Sequence, residues 1–221
     1  MDLYTLLLLA HILLFVYWLG GDLGVYYSSG YISRPSVTPA TRAVVAKIML
    51  ALDMTPRICL VLMLPVGVTL SHRLGVLALP DWAIPVLWVL SIFWLAMVWT
   101  IYVREHQPLA HSLTRVDWVV RLSVIAALLA VAVLGLIGQG PVTGGWISLK
   151  ILIFALIIAS GLAIRVMLKP FGAAFGRLMK EGSNPEIEAE LAASLARVKP
   201  PVLVIWAGLV VNAWLGLAKP F

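Results

Sequence analysis

Hydrophobic residues fall into six long runs along this chain, separated by short polar segments. The runs cover approximately residues 3–27, 57–72, 83–103, 118–138, 146–168 and 201–218. A bilayer core of about 30 Å takes roughly 20 helical residues, so each run approaches the length needed to cross it. The pattern predicts an all-α, polytopic membrane bundle of about six transmembrane helices, with residues 1–221 forming a single integral membrane domain.

The second run is short, but a helix signal lies upstream of it. Thr38-Pro39 is typical of an N-cap followed by proline at the first helical position, so we expect the helix to start there and to kink at Pro56. Pro65 and Gly67 are expected to break the same helix in mid-membrane, a feature that transporters use.

A second helix start lies in the loop before the last run, at Ser183-Asn184-Pro185-Glu186. The segment EAELAASLARV that follows predicts a short surface helix, which Pro200-Pro201 should end. Residues 170–199 are therefore expected to form a cytoplasmic loop with a short surface helix.

Composition supports the membrane class independently of the pattern. The chain is 62% hydrophobic and 12% charged, with a mean hydropathy of +1.02. Soluble domains are roughly half apolar and a quarter charged. The single cysteine, Cys59, excludes an intramolecular disulfide, and the absence of a C-x-x-C-H sequence excludes the usual covalent attachment of c-type haem.

The distribution of lysine and arginine predicts the orientation, because cytoplasmic loops are enriched in both. The first, third and fifth loops are basic, whereas the second loop, the fourth loop and the C-terminal tail together hold only Arg73 and Lys219. Both termini should lie outside. We expect the protein itself to reside in the inner (cytoplasmic) membrane of a bacterium. This bias accounts for most of the net charge of +6, so membrane lipid is the expected partner and nucleic acid is not.

Polar residues form a stripe on the first helix. Tyr4, His11, Trp18 and Asp22 lie within about 40° of one another at 100° per residue. An imidazole roughly 12 Å inside the membrane is costly, so His11 should face the protein interior. For Trp18, packing against a bound planar ligand and ordinary helix packing both stay open.

The other intramembrane charges divide into two layers. The inner layer holds Asp22, Asp53, Arg57, Arg121 and Arg165, and Asp53 with Arg57 forms an acid-to-base pair at i,i+4 spacing. This layer is either a structural ion-pair network with snorkelling side chains, or a site for propionates, a quinone headgroup or a proton path.

The outer layer holds His11, Lys150 and, near the rim, His72. A neutral imidazole is a good ligand for haem iron, and the membrane interior offers a low-dielectric cavity between helices. Other roles stay open: Lys150 could snorkel to the interface, and His11 could form an interhelical hydrogen bond or belong to a transport route.

Three short segments resemble a group of bacterial membrane proteins that includes the HemJ-type protoporphyrinogen oxidases, the copper-resistance D proteins and the membrane part of the PuuD-type urate oxidases. They are His11 with Trp18-Leu19-Gly20-Gly21, Met54-Thr55-Pro56, and Trp146-Ile147-Ser148-Leu149-Lys150 followed by ILIFALII. In the HemJ type, the first-helix histidine and this lysine are the functional pair and are associated with haem b. The resemblance implies that His11 and Lys150 are the counterparts here, although this chain has two further helices between the matching segments.

The expected function is therefore that of a haem b-binding membrane protein in electron transfer or oxidoreduction, linked to a quinone or a porphyrinogen. His11 would be one axial ligand of the iron, and Lys150 or His72 the other. Alternatives are a copper or small-solute transporter of the copper-resistance D type, and a structural subunit of a larger membrane complex. Whether the protein is an enzyme stays open, as do a redox partner protein and a homo-oligomer.

Overall fold

The computed structural model describes residues 2–220, which form an all-α bundle whose only β-contact is a single bridge between Leu77 and Val142. The helices are α1 (Leu3–Ile32), α2 (Pro39–Arg73), α3 (Ala83–Val103), α4 (Pro108–Leu136), α5 (Gly145–Met167), α6 (Lys169–Glu181) and α7 (Pro185–Ala218). Six helical segments are long and apolar enough to cross a membrane. The prediction of a multi-pass membrane bundle is confirmed.

Helix α2 starts as predicted but is not broken. The Thr38 side chain accepts a hydrogen bond from the Thr41 amide at 3.3 Å, and Pro39 occupies the first turn. The helix then continues past Pro56 and Pro65 to Arg73, so the predicted break at Pro65 and Gly67 was wrong. Each proline removes one helical hydrogen bond, and packing on both sides of it can hold the remaining ladder together where no water competes.

Helix α7 also continues through its prolines. Asn184 caps it by accepting a hydrogen bond from the Ile187 amide at 2.9 Å, as the helix-start signal predicted. The predicted stop at Pro200-Pro201 was wrong, because one helix covers Pro185–Ala218. The separate short helix is α6, and its Ala174 and Leu178 pack against Ile187 and Leu191 at the start of α7. That packing anchors the first turns of α7, before its prolines.

The long helices alternate in direction and form a closed ring in the order α1, α2, α3, α4, α5, α7 and back to α1. One end, here called the terminal end, carries the start of α1, the end of α7 and the α2–α3 and α4–α5 connections. These two connections pair through backbone hydrogen bonds, from the Ala78 amide to the Pro141 carbonyl at 2.7 Å and from the Thr143 amide to the Val76 carbonyl at 3.0 Å. The opposite end, called the basic end, carries the other connections.

The main core passes through all six long helices, and α2 has a larger buried share than any other span. At the basic end, Arg42 is fully buried and forms an ion pair with Glu188 at 2.8 Å. Arg42 also donates to the carbonyls of Val37 and Arg34. It thereby joins the α1–α2 connection to the start of α7, a role that the charge pattern alone did not indicate.

Candidate functional site

Four buried side-chain atoms in residues 2–220 have no hydrogen-bond partner. His11 Nδ1 and Asn212 Oδ1 lie in the half of the bundle nearer the terminal end, whereas Arg121 Nη2 and Trp206 Nε1 lie nearer the basic end. Buried polar atoms are normally paired, so each exception needs an explanation, and an absent ligand is one. The unpartnered atoms therefore mark two candidate regions, one toward each end of the bundle.

His11 projects from α1 toward α2. An ideal Cβ built on Gly67 would lie 3.4 Å from His11 Cε1, so the imidazole packs against α2 at Gly67. The Nδ1 atom is buried there without a partner. The sequence prediction that His11 faces the protein interior is consistent with this position.

Lys150 lies in the second turn of α5 and reaches toward α7. A Cβ on Gly216 would lie 2.8 Å from Lys150 Nζ, so the lysine amine lies directly against this glycine. Within residues 2–220, Lys150 forms no ion pair. Asn212, one turn from Gly216 on α7, donates to the Lys150 backbone carbonyl at 3.3 Å.

The fold places His11 and Lys150 near the same end of facing helices. Trp18, two turns after His11 on α1, and Phe154, one turn after Lys150 on α5, are in ring contact with 6.2 Å between their centroids. Both nitrogens can ligate iron, the lysine as its neutral amine. The unpartnered Nδ1 and the unpaired amine therefore fit a haem iron as axial donors. In the described part of the chain, no three His, Cys, Asp or Glu side chains group as a metal site.

Trp18 lies on the basic-end side of this pair, deeper in the bundle. Its side chain is buried in the main core, and its ring meets Phe154 of α5 edge-to-face with 6.2 Å between centroids. Trp18 and Phe154 thus close the space between α1 and α5 below His11 and Lys150. Trp18 therefore packs in the core as an ordinary buried residue. Its position also puts a flat aromatic surface next to the candidate site.

His72 is held apart from this pair by its own loop. Its Nδ1 lies 3.2 Å from the Leu77 carbonyl, and its Nε2 lies 3.5 Å from an Asp81 carboxylate oxygen. It lines an open pocket of about 410 Å³ at the rim of the terminal end, together with Thr69, Arg73, Asp81, Ile84 and Pro85. Both ring nitrogens already have neighbours, so His72 is less available as a ligand than His11.

The acid-to-base pair of the inner layer is present as predicted. Arg57 Nε donates to Asp53 at 2.8 Å, four residues earlier on α2. Asp22 follows Gly21, which packs against Thr55 and Pro56 of α2, so Asp22 lies at the level of this pair. It forms no ion pair within residues 2–220.

The sequence analysis missed Asp117, the most buried acid of the inner layer. Its carboxylate accepts from Arg121 Nε at 2.9 Å, from Arg165 Nη1 at 2.6 Å and from the Trp94 indole at 2.8 Å. A signal was available, because Asp117 precedes Arg121 by four residues, which is the spacing that singled out Asp53 and Arg57. The three donors come from three different helices, Arg121 from α4, Arg165 from α5 and Trp94 from α3.

The chain matches no protein-family model, no curated protein and no solved structure. Its site residues are therefore assigned from their own geometry and chemistry. By that standard, the region between α1 and α5 around His11 and Lys150 is the first candidate site.

Proposed function

We propose that this protein binds haem b between α1 and α5 and takes part in electron transfer within the cytoplasmic membrane of a bacterium. The observation that carries the proposal is the convergence of His11 and Lys150. These two nitrogen donors come from distant parts of the sequence. Within the described residues, His11 Nδ1 is buried without a hydrogen-bond partner and Lys150 forms no ion pair. Burial without partners is costly, and an iron centre would satisfy both groups.

In this proposal His11 and Lys150, the latter as its neutral amine, would hold the haem iron. Gly67 and Gly216 keep the facing helix surfaces free of side chains next to these two donors. Asn212 holds the backbone of Lys150, and Trp18 with Phe154 closes the site toward the basic end. Bound haem would supply one-electron oxidation and reduction, and the surrounding apolar helices would exclude water from it.

The resemblance to HemJ-type proteins supports the same pair of residues. With the terminal end outside, as the charge distribution predicts, the site would lie in the outer half of the membrane. A membrane quinone and an outer redox partner, or a porphyrinogen-like substrate, are the reactants that this position would serve. The unbroken α2 removes the mid-membrane helix break that favoured a transporter.

The test is the absorption spectrum of protein purified in detergent from haem-replete cells. We expect a Soret band together with α and β bands on reduction, and we expect His11→Ala to lose most of this absorbance because an axial ligand is gone. His106→Ala is the matched control, since that histidine is 92% exposed and should leave the spectrum unchanged. A colourless wild-type protein, or equal spectra for the two variants, would contradict the proposal.

A further inference from the structure

Three arginines meet in the half of the bundle nearer the basic end, outside the site proposed for haem. This arginine cluster consists of Arg57 on α2, Arg121 on α4 and Arg165 on α5. Arg121 and Arg165 donate to the same oxygen of Asp117, at 2.9 and 2.6 Å, so their guanidinium groups lie side by side. Arg57 flanks the same core, because Ile58, Val120 and Ile164, the chain neighbours of the three arginines, pack against one cluster. Like charges repel strongly in a medium of low dielectric constant, so the cluster needs negative charge close to it.

The acids within the cluster do not balance it. Asp53 pairs with Arg57, and Asp117 is shared between Arg121 and Arg165 through the same carboxylate oxygen. The other oxygen of Asp117 accepts from the Trp94 indole, so both of its oxygens have donors. Arg121 and Arg165 therefore share the single carboxylate of Asp117, which leaves one of their two positive charges without a counterion of its own.

Burial makes this imbalance costly. The Arg121 side chain is 5% exposed, and its Nη2 has no hydrogen-bond partner within the described residues. Its guanidinium lies 5.3 Å from the centre of the Trp94 ring, which compensates part of the charge through a cation–π contact. A buried guanidinium with a free donor is rare unless an anion or water completes it.

The cluster can be reached without repacking the core. The Arg57 side chain is 35% exposed and the Arg165 side chain 25%, so both keep donors available on the side away from their carboxylates. Arg121 is the most buried of the three, with 5% of its side chain exposed. Within the described residues, Asp22 forms no ion pair with any of them.

We propose that the arginine cluster is a binding site for a phosphate group. A phosphate has several oxygens that can be shared between guanidinium groups from different helices, and the planar fork of arginine matches phosphate geometry. The group is either the headgroup phosphate of an anionic lipid or free inorganic phosphate. Arg57 and Arg165 would contact its oxygens, and Arg121 would balance its charge from behind.

The experiment measures the thermal unfolding temperature of the detergent-purified protein against ligand concentration. One arm uses a short-chain phosphatidylglycerol, another uses inorganic phosphate, and sodium chloride at equal ionic strength is the control for general screening. Stabilisation by the lipid alone would assign the site to a headgroup. Stabilisation by inorganic phosphate as well would assign it to the phosphate group itself.

Arg165→Gln and Arg57→Gln should each weaken the apparent affinity at least about tenfold, because each removes a charge-assisted contact. Arg177→Gln is the matched control. Arg177 lies on the surface helix α6 and pairs there with Glu186 and Glu190, so its loss should leave the affinity unchanged. If Arg165→Gln does not fold, Arg57→Gln decides the result, since the exposed Arg57 side chain is not needed in the core. Equal stabilisation by chloride, or equal affinity in all variants, would overturn the proposal.

Discussion

At the scale of single residues, the chain places ionisable groups in apolar surroundings and gives some of them no protein partner. Asp117 shows the satisfied case, with three donors around one buried carboxylate. His11 and Lys150 show the opposite case, because each faces a glycine instead of a polar side chain. Isolated buried polar groups cost stability, so a chain that retains them gains something else from them.

For the second ligand of the proposed haem, the usual preference for histidine favours His72, whereas the positions of the side chains favour Lys150. Histidine is the more familiar nitrogen ligand, but His72 is already engaged by Leu77 and lies close to Asp81. We expect Lys150→Met to shift the absorption bands of the protein and the midpoint potential of its haem. His72→Ala should leave both nearly unchanged. The two variants are measured side by side by spectroelectrochemistry. A silent Lys150→Met together with a strong effect of His72→Ala would reassign the ligand.

At the scale of helices, α1 and α2 pack together more extensively than any other pair of helices. Glycines let their backbones approach closely. An ideal Cβ on Gly21 would lie 2.9 Å from Pro56 Cδ and 3.2 Å from Thr55 Cβ. The proline ring is rigid and cannot move aside as a flexible side chain could. Gly20, the preceding residue, has no such neighbour within 4 Å.

These adjacent glycines form a matched pair for a packing test. Gly21→Ala should destabilise the protein by about 1–3 kcal/mol, because an extra methyl group overpacks the contact with Pro56. Gly20→Ala should be neutral or slightly stabilising, since alanine has the higher helix propensity and its Cβ meets open space. The measurement is the free energy of unfolding in mixed detergent micelles. Equal effects of the two substitutions would mean that the helices separate more easily than their packing indicates.

At the scale of the whole molecule, the alternating helices place the two polar regions toward opposite ends of the bundle. The proposed haem site is nearer the terminal end, which is closed by the paired α2–α3 and α4–α5 connections and by the apolar cluster around Trp146 and Leu215. The arginine cluster is nearer the basic end. The orientation of the bundle therefore decides which side of the membrane each region serves.

That orientation is a prediction of the lysine and arginine distribution. A membrane-impermeant thiol reagent added to intact cells should label Arg73→Cys and not Lys180→Cys, because Arg73 belongs to the terminal end and Lys180 to the basic end. Cys59 is 4% exposed, so the native thiol adds little background. Permeabilised cells should show labelling at both positions. The reverse pattern in intact cells would place the termini in the cytoplasm and the proposed haem site in the inner half.

The sequence by itself determined the class of fold, the six spans and several helix starts. Hydropathy is a local property, and a segment of about 20 apolar residues has few alternatives to a helix in a bilayer. The caps at Thr38 and Asn184 are equally local, since the side chain and the amide it accepts from are three residues apart. The Asp53–Arg57 pair was predictable for the same reason.

Only the tertiary structure decided which distant groups meet. Continuity of α2 and α7 through their prolines depends on neighbouring helices, so the local breaking tendency of proline gave the wrong prediction at Pro65 and at Pro200-Pro201. The partners of Asp117 come from α3 and α5 as well as from its own helix, and periodicity along one helix carries no information about them. The same holds for the proposed pairing of His11 with Lys150, because only the tertiary structure brings α1 against α5 at the contact between Trp18 and Phe154.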